Sequence, residues 1–153
     1  MQSVLHISQK LSKITSAMKC GKAEYNAFAK FSFRNIEACC EAVKPYLEEH
    51  NCSLIMDDRI QAIGDRYYVE STLKLTCCDT GESILVSAQA REPLNKKGMD
   101  DSMVTGMSAS YARKRAFAGL FLLDNTEDAD SLDNREVSNK SKPTNQTKGE
   151  ELL

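Results

Sequence analysis

Three consecutive cations, Arg113, Lys114 and Arg115, stand inside a stretch that otherwise reads as a packed helix, GMDDSMVTGMSASYARKRAFAGLFLLDN over residues 98–125. Each charge must reach water, an acid or an anionic ligand, because an unpaired buried charge is strongly disfavoured. With Lys96 and Lys97 just upstream, the anion this group suits is phosphate, and the implied ligand is a nucleic-acid backbone. On a helical wheel the trio spreads over about 200°, so the three cannot all point at one ligand, and Lys114 falls among large apolar positions. The bland reading is that long stems carry their charges to water.

A second set of basic and aromatic residues alternates along three segments that read as strands. Arg59, Arg66, Tyr68, Lys74 and Arg91 share a polar face with Thr72, Ser87 and Gln89. Such a face suits a single strand, whose phosphates track cations and whose bases stack on rings. Asp57, Glu70 and Glu92 occupy the same segments, so a solvated sheet face fits equally well.

Signatures of bond chemistry are sparse. The chain contains no GxxxxGK[ST] loop, which excludes a P-loop motor on motif grounds. Its two histidines, His6 and His50, lie near no recognisable Ser or Cys nucleophile. Asp57, Asp58 and Glu70 form the one imaginable nuclease cluster, but they flank a hairpin turn and lack an acid-x-Lys pairing. Four of the six cysteines form two adjacent pairs, Cys39–Cys40 and Cys77–Cys78, and no C-x-x-C spacing occurs. Adjacent cysteines make poor disulfide partners, so reduced structural thiols are expected, and His50-x-Cys52 is too thin for a metal site. The expectation is a non-enzyme with no catalytic residues, no metal and no cofactor; whether magnesium affects its action is left open.

The elements that must position these residues follow from periodicity. Leu5, Ile7, Leu11, Ile14 and Met18 have helical spacing, giving an amphipathic helix over 1–18. Residues 19–34 form a connection with Phe31-Ser32-Phe33 as a short extended piece. Asn35 is a good N-cap for a helix burying Ile36, Cys39, Cys40, Val43 and Leu47. Pro45 should kink or loosen it, and Asn51 should end it. Strands are expected over 53–63, 66–78 and 83–92, joined by turns at Gly64-Asp65 and Asp79-Thr80-Gly81-Glu82. Tyr67, Val69, Leu73, Leu75 and Cys77 fall on one face of the middle strand, and Ile84, Val86, Ala88 and Ala90 on one face of the next. A last helix from Asp101 or Ser102 to Leu122 gathers Met103, Met107, Tyr111, Phe117 and Phe121 on one side. Gly106, Ala109, Ala112, Ala116 and Gly119 gather on another. The expected fold is α+β, a three-stranded antiparallel meander packed by helices. The organisation is an N-terminal helix (1–18), a core with its preceding helix (19–124) and a disordered acidic tail (125–153).

The 153 residues are 41% hydrophobic, enough for a core, and carry a net charge of −2. Residues 125–153 hold four cations against seven acids, so the tail sets that sign and the remainder is close to neutral. No apolar run could span a bilayer and no signal-peptide core is visible, so an intracellular protein without a membrane partner is expected.

KFSFRNIEACCEAVKPYLEEHNCSL and SMVTGMSASYARKRAFAGLFLLDN resemble two segments of the Erf (essential recombination function) family of phage single-strand annealing proteins. The first matches an aromatic–basic lead into a helix and then a strand. The second matches a Gly/Ser-rich helix start running through Ser-Tyr-Ala-Arg-basic-Ala to a Leu/Phe-rich end and acidic residues. The likeness covers about residues 26–130; Met99-Asp100-Asp101-Ser102-Met103 departs from it where a Gln is common. The resemblance implies an ATP-independent protein that coats single-stranded DNA and pairs complementary strands in phage homologous recombination, in the bacterial host cytoplasm. It implies a β-β-β-α core and a homo-oligomeric ring or filament. Arg113, Lys114, Arg115, Lys96 and Lys97 would line a groove between sheet and helix, and the tail would contact a single-strand binding protein. A non-catalytic module docking an acidic protein partner, or a metal-dependent nuclease, are the alternatives.

Overall fold

Two glycine turns set the architecture. The computed structural model describes residues 5–20, 24–26, 31–33 and 35–123. Gly64, at φ 63°, reverses the chain between β3 (Cys52–Ile63) and β4 (Arg66–Cys77). Gly81, at φ 76°, does the same between β4 and β5 (Ser83–Arg91). Both angles lie in the left-handed region that a side chain disfavours. The strands pair antiparallel in the order β3-β4-β5, with Leu54 opposite Leu75 and Leu75 opposite Ile84. Around them run α1 (Ile7–Ala17), a two-stranded pair of β1 (Glu24–Asn26) and β2 (Phe31–Phe33), α2 (Ile36–Glu49) and α3 (Asp101–Phe121). The described residues thus form the expected α+β meander with three helices. The short β1–β2 pair is an addition to it, and the acidic tail lies outside the described residues.

Side chains alternate along each strand, so one face of the sheet collects Leu54, Met56, Leu73, Leu75, Ile84 and Val86. Ile7, Ile14, Met18, Ile36, Cys39, Val43, Phe117, Leu120 and Phe121 pack over it into one core. Phe117 and Phe121 meet with ring centroids 4.9 Å apart, tilted by 48°. Asn35 caps α2, its Oδ1 accepting from Ala38 N at 2.7 Å. Pro45 does not end the helix, which runs on to Glu49. Asn51 takes φ 50° just beyond it, a conformation Asn tolerates better than most residues.

The core face of α3 differs from the one that side-chain size suggests. Val104, Ser108, Ala112, Ala116, Phe117, Leu120 and Phe121 are buried, whereas Met103 and Tyr111 are 51% and 54% exposed. Small residues face the sheet through the first half of the helix, and the wide aromatic positions follow only in the last turns. The small side chains let the helix lie close; Gly119 has Val86 Cγ2 3.7 Å from where a Cβ would stand. Asp100 caps this helix through Met103 N at 2.8 Å, and Leu122 ends it at φ 50°.

A lysine on α1 is also buried. Lys10 is only 5% exposed, and its Nζ bonds Asp79 Oδ2 at 2.6 Å. Asn51 Nδ2 donates to the other oxygen of Asp79, also at 2.6 Å. The bond to Asp79 raises the Lys10 ammonium well above the ordinary lysine value, against the pull of burial. Lys10, and then Asn51, hold the Asp79 carboxyl below its usual range. A carboxyl with a depressed folded pKa stabilises above its unfolded value, and that contribution disappears as pH falls through the folded one. Asp79→Asn should therefore be less stable at neutral pH and lose less stability than the parent on acidification below about pH 4. Urea unfolding at a series of pH values reads this directly; identical acid limbs would contradict it.

Candidate nucleic-acid interface

The three cations of α3 leave the helix in three directions. Arg113 points to the sheet, where its Nε and Nη2 donate to Asp58 Oδ2 at 2.9 and 2.6 Å. Ser71 Oγ donates to Asp58 Oδ1 at 2.5 Å, so both carboxylate oxygens are engaged. Asp58 and Ser71 are partners in the β3–β4 register and lie on the helix-covered face. Asp58 raises the pKa of the Arg113 guanidinium, outweighing burial. Arg113 thus neutralises the one acid that the core face of β3 presents to the helix.

Lys114 lies with Nζ 4.6 Å from the centroid of the Tyr111 ring, a cation–π distance. Burial depresses its pKa, opposed by the nearby Cys39 and Glu37. Arg115 is exposed and turns to the opposite flank, where Nη1 donates to the backbone oxygen of Gln89 on β5 at 3.3 Å. Lys96 and Lys97 are exposed in the loop between β5 and α3. Lys96 Nζ stands 2.8 Å from Met107 Sδ, two helical turns before Arg115. Lys96 thus reaches the first half of α3 and Arg115 borders β5 from the second half, while Arg91 lies at the end of β5.

The register places Arg59, Arg66, Tyr68, Lys74 and Arg91 on the other face of the sheet, turned away from α3. Tyr68 lies between Gln61 and Arg91, and Lys74 between Ile55 and Leu85. Arg59 Nε reaches Asp57 Oδ2 at 3.3 Å. Glu70 accepts from Gln61 Nε2 at 2.5 Å and from Gln89 Nε2 at 3.3 Å. The candidate cations therefore occupy two opposite surfaces of the sheet.

The carboxylates imagined as a nuclease do not converge. Asp57 and Glu70 face outward, whereas Asp58 faces the helix. Among the described residues no group of three or more His, Cys, Asp or Glu could hold a metal. Cys52 Sγ donates to His50 O at 3.5 Å, and none of the six cysteines is joined in a disulfide. No described helix is long and apolar enough to cross a membrane.

One concavity joins the two surfaces at the end of the sheet. A cleft of about 500 Å³ lies between the start of β4, the loop after β5 and the first turn of α3. Arg66, Lys96 and Lys97 line it, together with Tyr67 and Leu94, which sequence reasoning left out. Alternation puts Tyr67 on the core face, and it is on that face, but at the start of β4, beside the cleft, it remains 57% exposed. No periodicity reports how well a strand end is covered.

Residues 7–152 match the ERF superfamily. The chain belongs to that superfamily. It is also 42% identical, over 139 residues, to the essential recombination function protein of Salmonella phage P22. That alignment covers 91% of this chain and 65% of the relative, so the chain spans a little under two thirds of the curated protein it matches. No solved structure matches. Within this ERF core the adjacent acids Asp57 and Asp58 serve different surfaces, and substitution should separate them. Asp58→Asn, which leaves Arg113 without its anion, should reduce stability by about 1–3 kcal/mol, towards the lower end because the pair is partly open to water. Asp57→Asn, on the exposed face, should change it by less than about 0.5 kcal/mol. Equal shifts of the two urea midpoints would contradict this assignment.

Proposed function

We propose that this ERF-superfamily protein binds single-stranded DNA and anneals complementary strands without ATP in phage recombination, working as a ring or filament of identical subunits in the host cytoplasm. The observation that carries the reading is membership of the superfamily together with 42% identity to a phage protein named for essential recombination function. The exposed basic residues Lys96, Lys97 and Arg115 beside α3 supply a surface of suitable charge, with Arg91 on the opposite sheet face at the end of β5. Arg59, Arg66, Tyr68 and Lys74 on the opposite sheet face are the second candidate surface, and Lys114 and Arg113 border the first.

No bond is made or broken in this mechanism. Cations neutralise phosphates and hold one strand extended, and a second strand searches along it for register. Pairing supplies its own driving force, roughly 1–2 kcal/mol per base-pair step, so no nucleotide hydrolysis is required. A single-strand binding protein is the partner proposed for residues beyond the described core.

Two complementary fluorescent oligonucleotides, mixed with the protein and no ATP across a salt series, provide the test. Pairing should run at least tenfold above the spontaneous rate at low salt, leave both strands intact, and fade as salt rises. Absence of binding at low salt would refute the proposal and favour a module that docks an acidic protein. Divalent-dependent loss of the strands would instead indicate a nuclease.

A further inference from the structure

The cleft at the end of the sheet has two unlike walls. Tyr67 and Leu94, 57% and 74% exposed, give it an aromatic and an aliphatic surface, with Val104 at its floor in the first turn of α3. Arg66, Lys96 and Lys97 give it three cations. Glu92 and Asp101 also line it, so the space is not uniformly basic and does not suit a run of phosphates.

Its walls are fixed before any ligand arrives. Glu92 N donates to Tyr67 O at 2.9 Å, and Met99 N donates to Lys96 O at 3.1 Å, closing the loop that carries the lysines. Gly98 turns that loop at φ 81°. Arg66 Nη2 donates to Glu92 O at 3.3 Å, but Arg66 Nε is buried and has no hydrogen-bond partner.

A ligand that fits has a flat apolar body and an anion a few bonds away, with polar hydrogens on its edge. We propose that the cleft takes one nucleotide of a bound single strand, its base against Tyr67 and Leu94 and its phosphate on Lys96, Lys97 and Arg66. The volume of about 500 Å³ lies within the range of small-ligand pockets, about 300–1,000 Å³. Glu92 and Asp101 repel a second phosphate and accept from exocyclic amines, which limits occupancy to one unit. Each subunit would then hold one base out of stack at a fixed place, giving the strand a periodic register along an assembly. This inference rests on the single-strand reading above.

The test uses the full chain and a thymidine oligonucleotide carrying 5-iodo-deoxyuridine, irradiated in complex, with the adduct mapped by mass spectrometry. The expected adduct is on Tyr67 and not on its neighbour Tyr68, which faces the other side of the sheet. Tyr67→Phe should keep oligonucleotide affinity within twofold, whereas Tyr67→Ala should weaken it at least fivefold with an unchanged melting transition. Lys96→Gln with Lys97→Gln should weaken it further. If the chain binds the oligonucleotide but the adduct falls on Tyr68 or elsewhere and Tyr67→Ala binds as the parent does, the cleft assignment is overturned while the single-strand reading stands. If the parent binds no oligonucleotide at low salt, both fail together.

Discussion

A single carboxylate on the covered face of the sheet decides how the last helix sits. Leu54, Met56, Leu73, Leu75, Ile84 and Val86 would accept almost any apolar helix, but the next row of the register holds Asp58 opposite Ser71, with Ala88 opposite Ser71 on β5. An ionised group against a helix must be met by donors, and Ser71 and Arg113 meet it. The small residues Ser108 and Ala112 bring α3 close enough for that bond. Because Arg113 is committed towards β3, helical geometry sends Arg115 to the β5 flank, and the division of charges follows. At the opposite end of the core, Lys10 and Asp79 form a second bond of the same kind. One ion pair thus lies within the layer between sheet and α3 and the other at the β4–β5 turn beside α1.

Much of this fold is legible in the residues themselves. Gly64 and Gly81 announce their turns, strict alternation gives each strand its faces, and Asn35 announces the start of α2. These signals act within a few residues and need no partner. Arg113 is different, since its acid lies 55 residues earlier, and nothing local distinguishes an arginine that will find a carboxylate from one that will meet a phosphate. Lys10 misleads for the same reason: a lysine between apolar positions reads as a solvated stripe, and only Asp79 makes its burial tolerable. Size misleads on α3, where Met103 and Tyr111 look like core residues. A sheet row containing Asp58 and Ser71 accepts Ser108 and Ala112 instead, and leaves the large side chains exposed.

The candidate site shows the same limit. Residue types located the basic positions on both the helix and the sheet, but not that the sheet lies between them. Register supplies that fact, with Arg59, Tyr68 and Lys74 on one side and Arg115 with Lys96 on the other. Arg66, Tyr67 and Arg91 lie near the strand ends, where the two surfaces meet. Membership of the ERF superfamily makes single-stranded DNA the ligand to propose for them.

The most direct test of this division of charges is the salt dependence of single-strand binding in two variants, Arg113→Gln and Arg115→Gln. Each phosphate contact on a single strand contributes about 0.7 to the slope of log affinity against log salt. The account predicts that Arg115→Gln lowers the slope by about that amount, whereas Arg113→Gln leaves it unchanged and lowers the melting transition. A flattened slope for Arg113→Gln, with the Arg115→Gln slope equal to that of the parent, would contradict it.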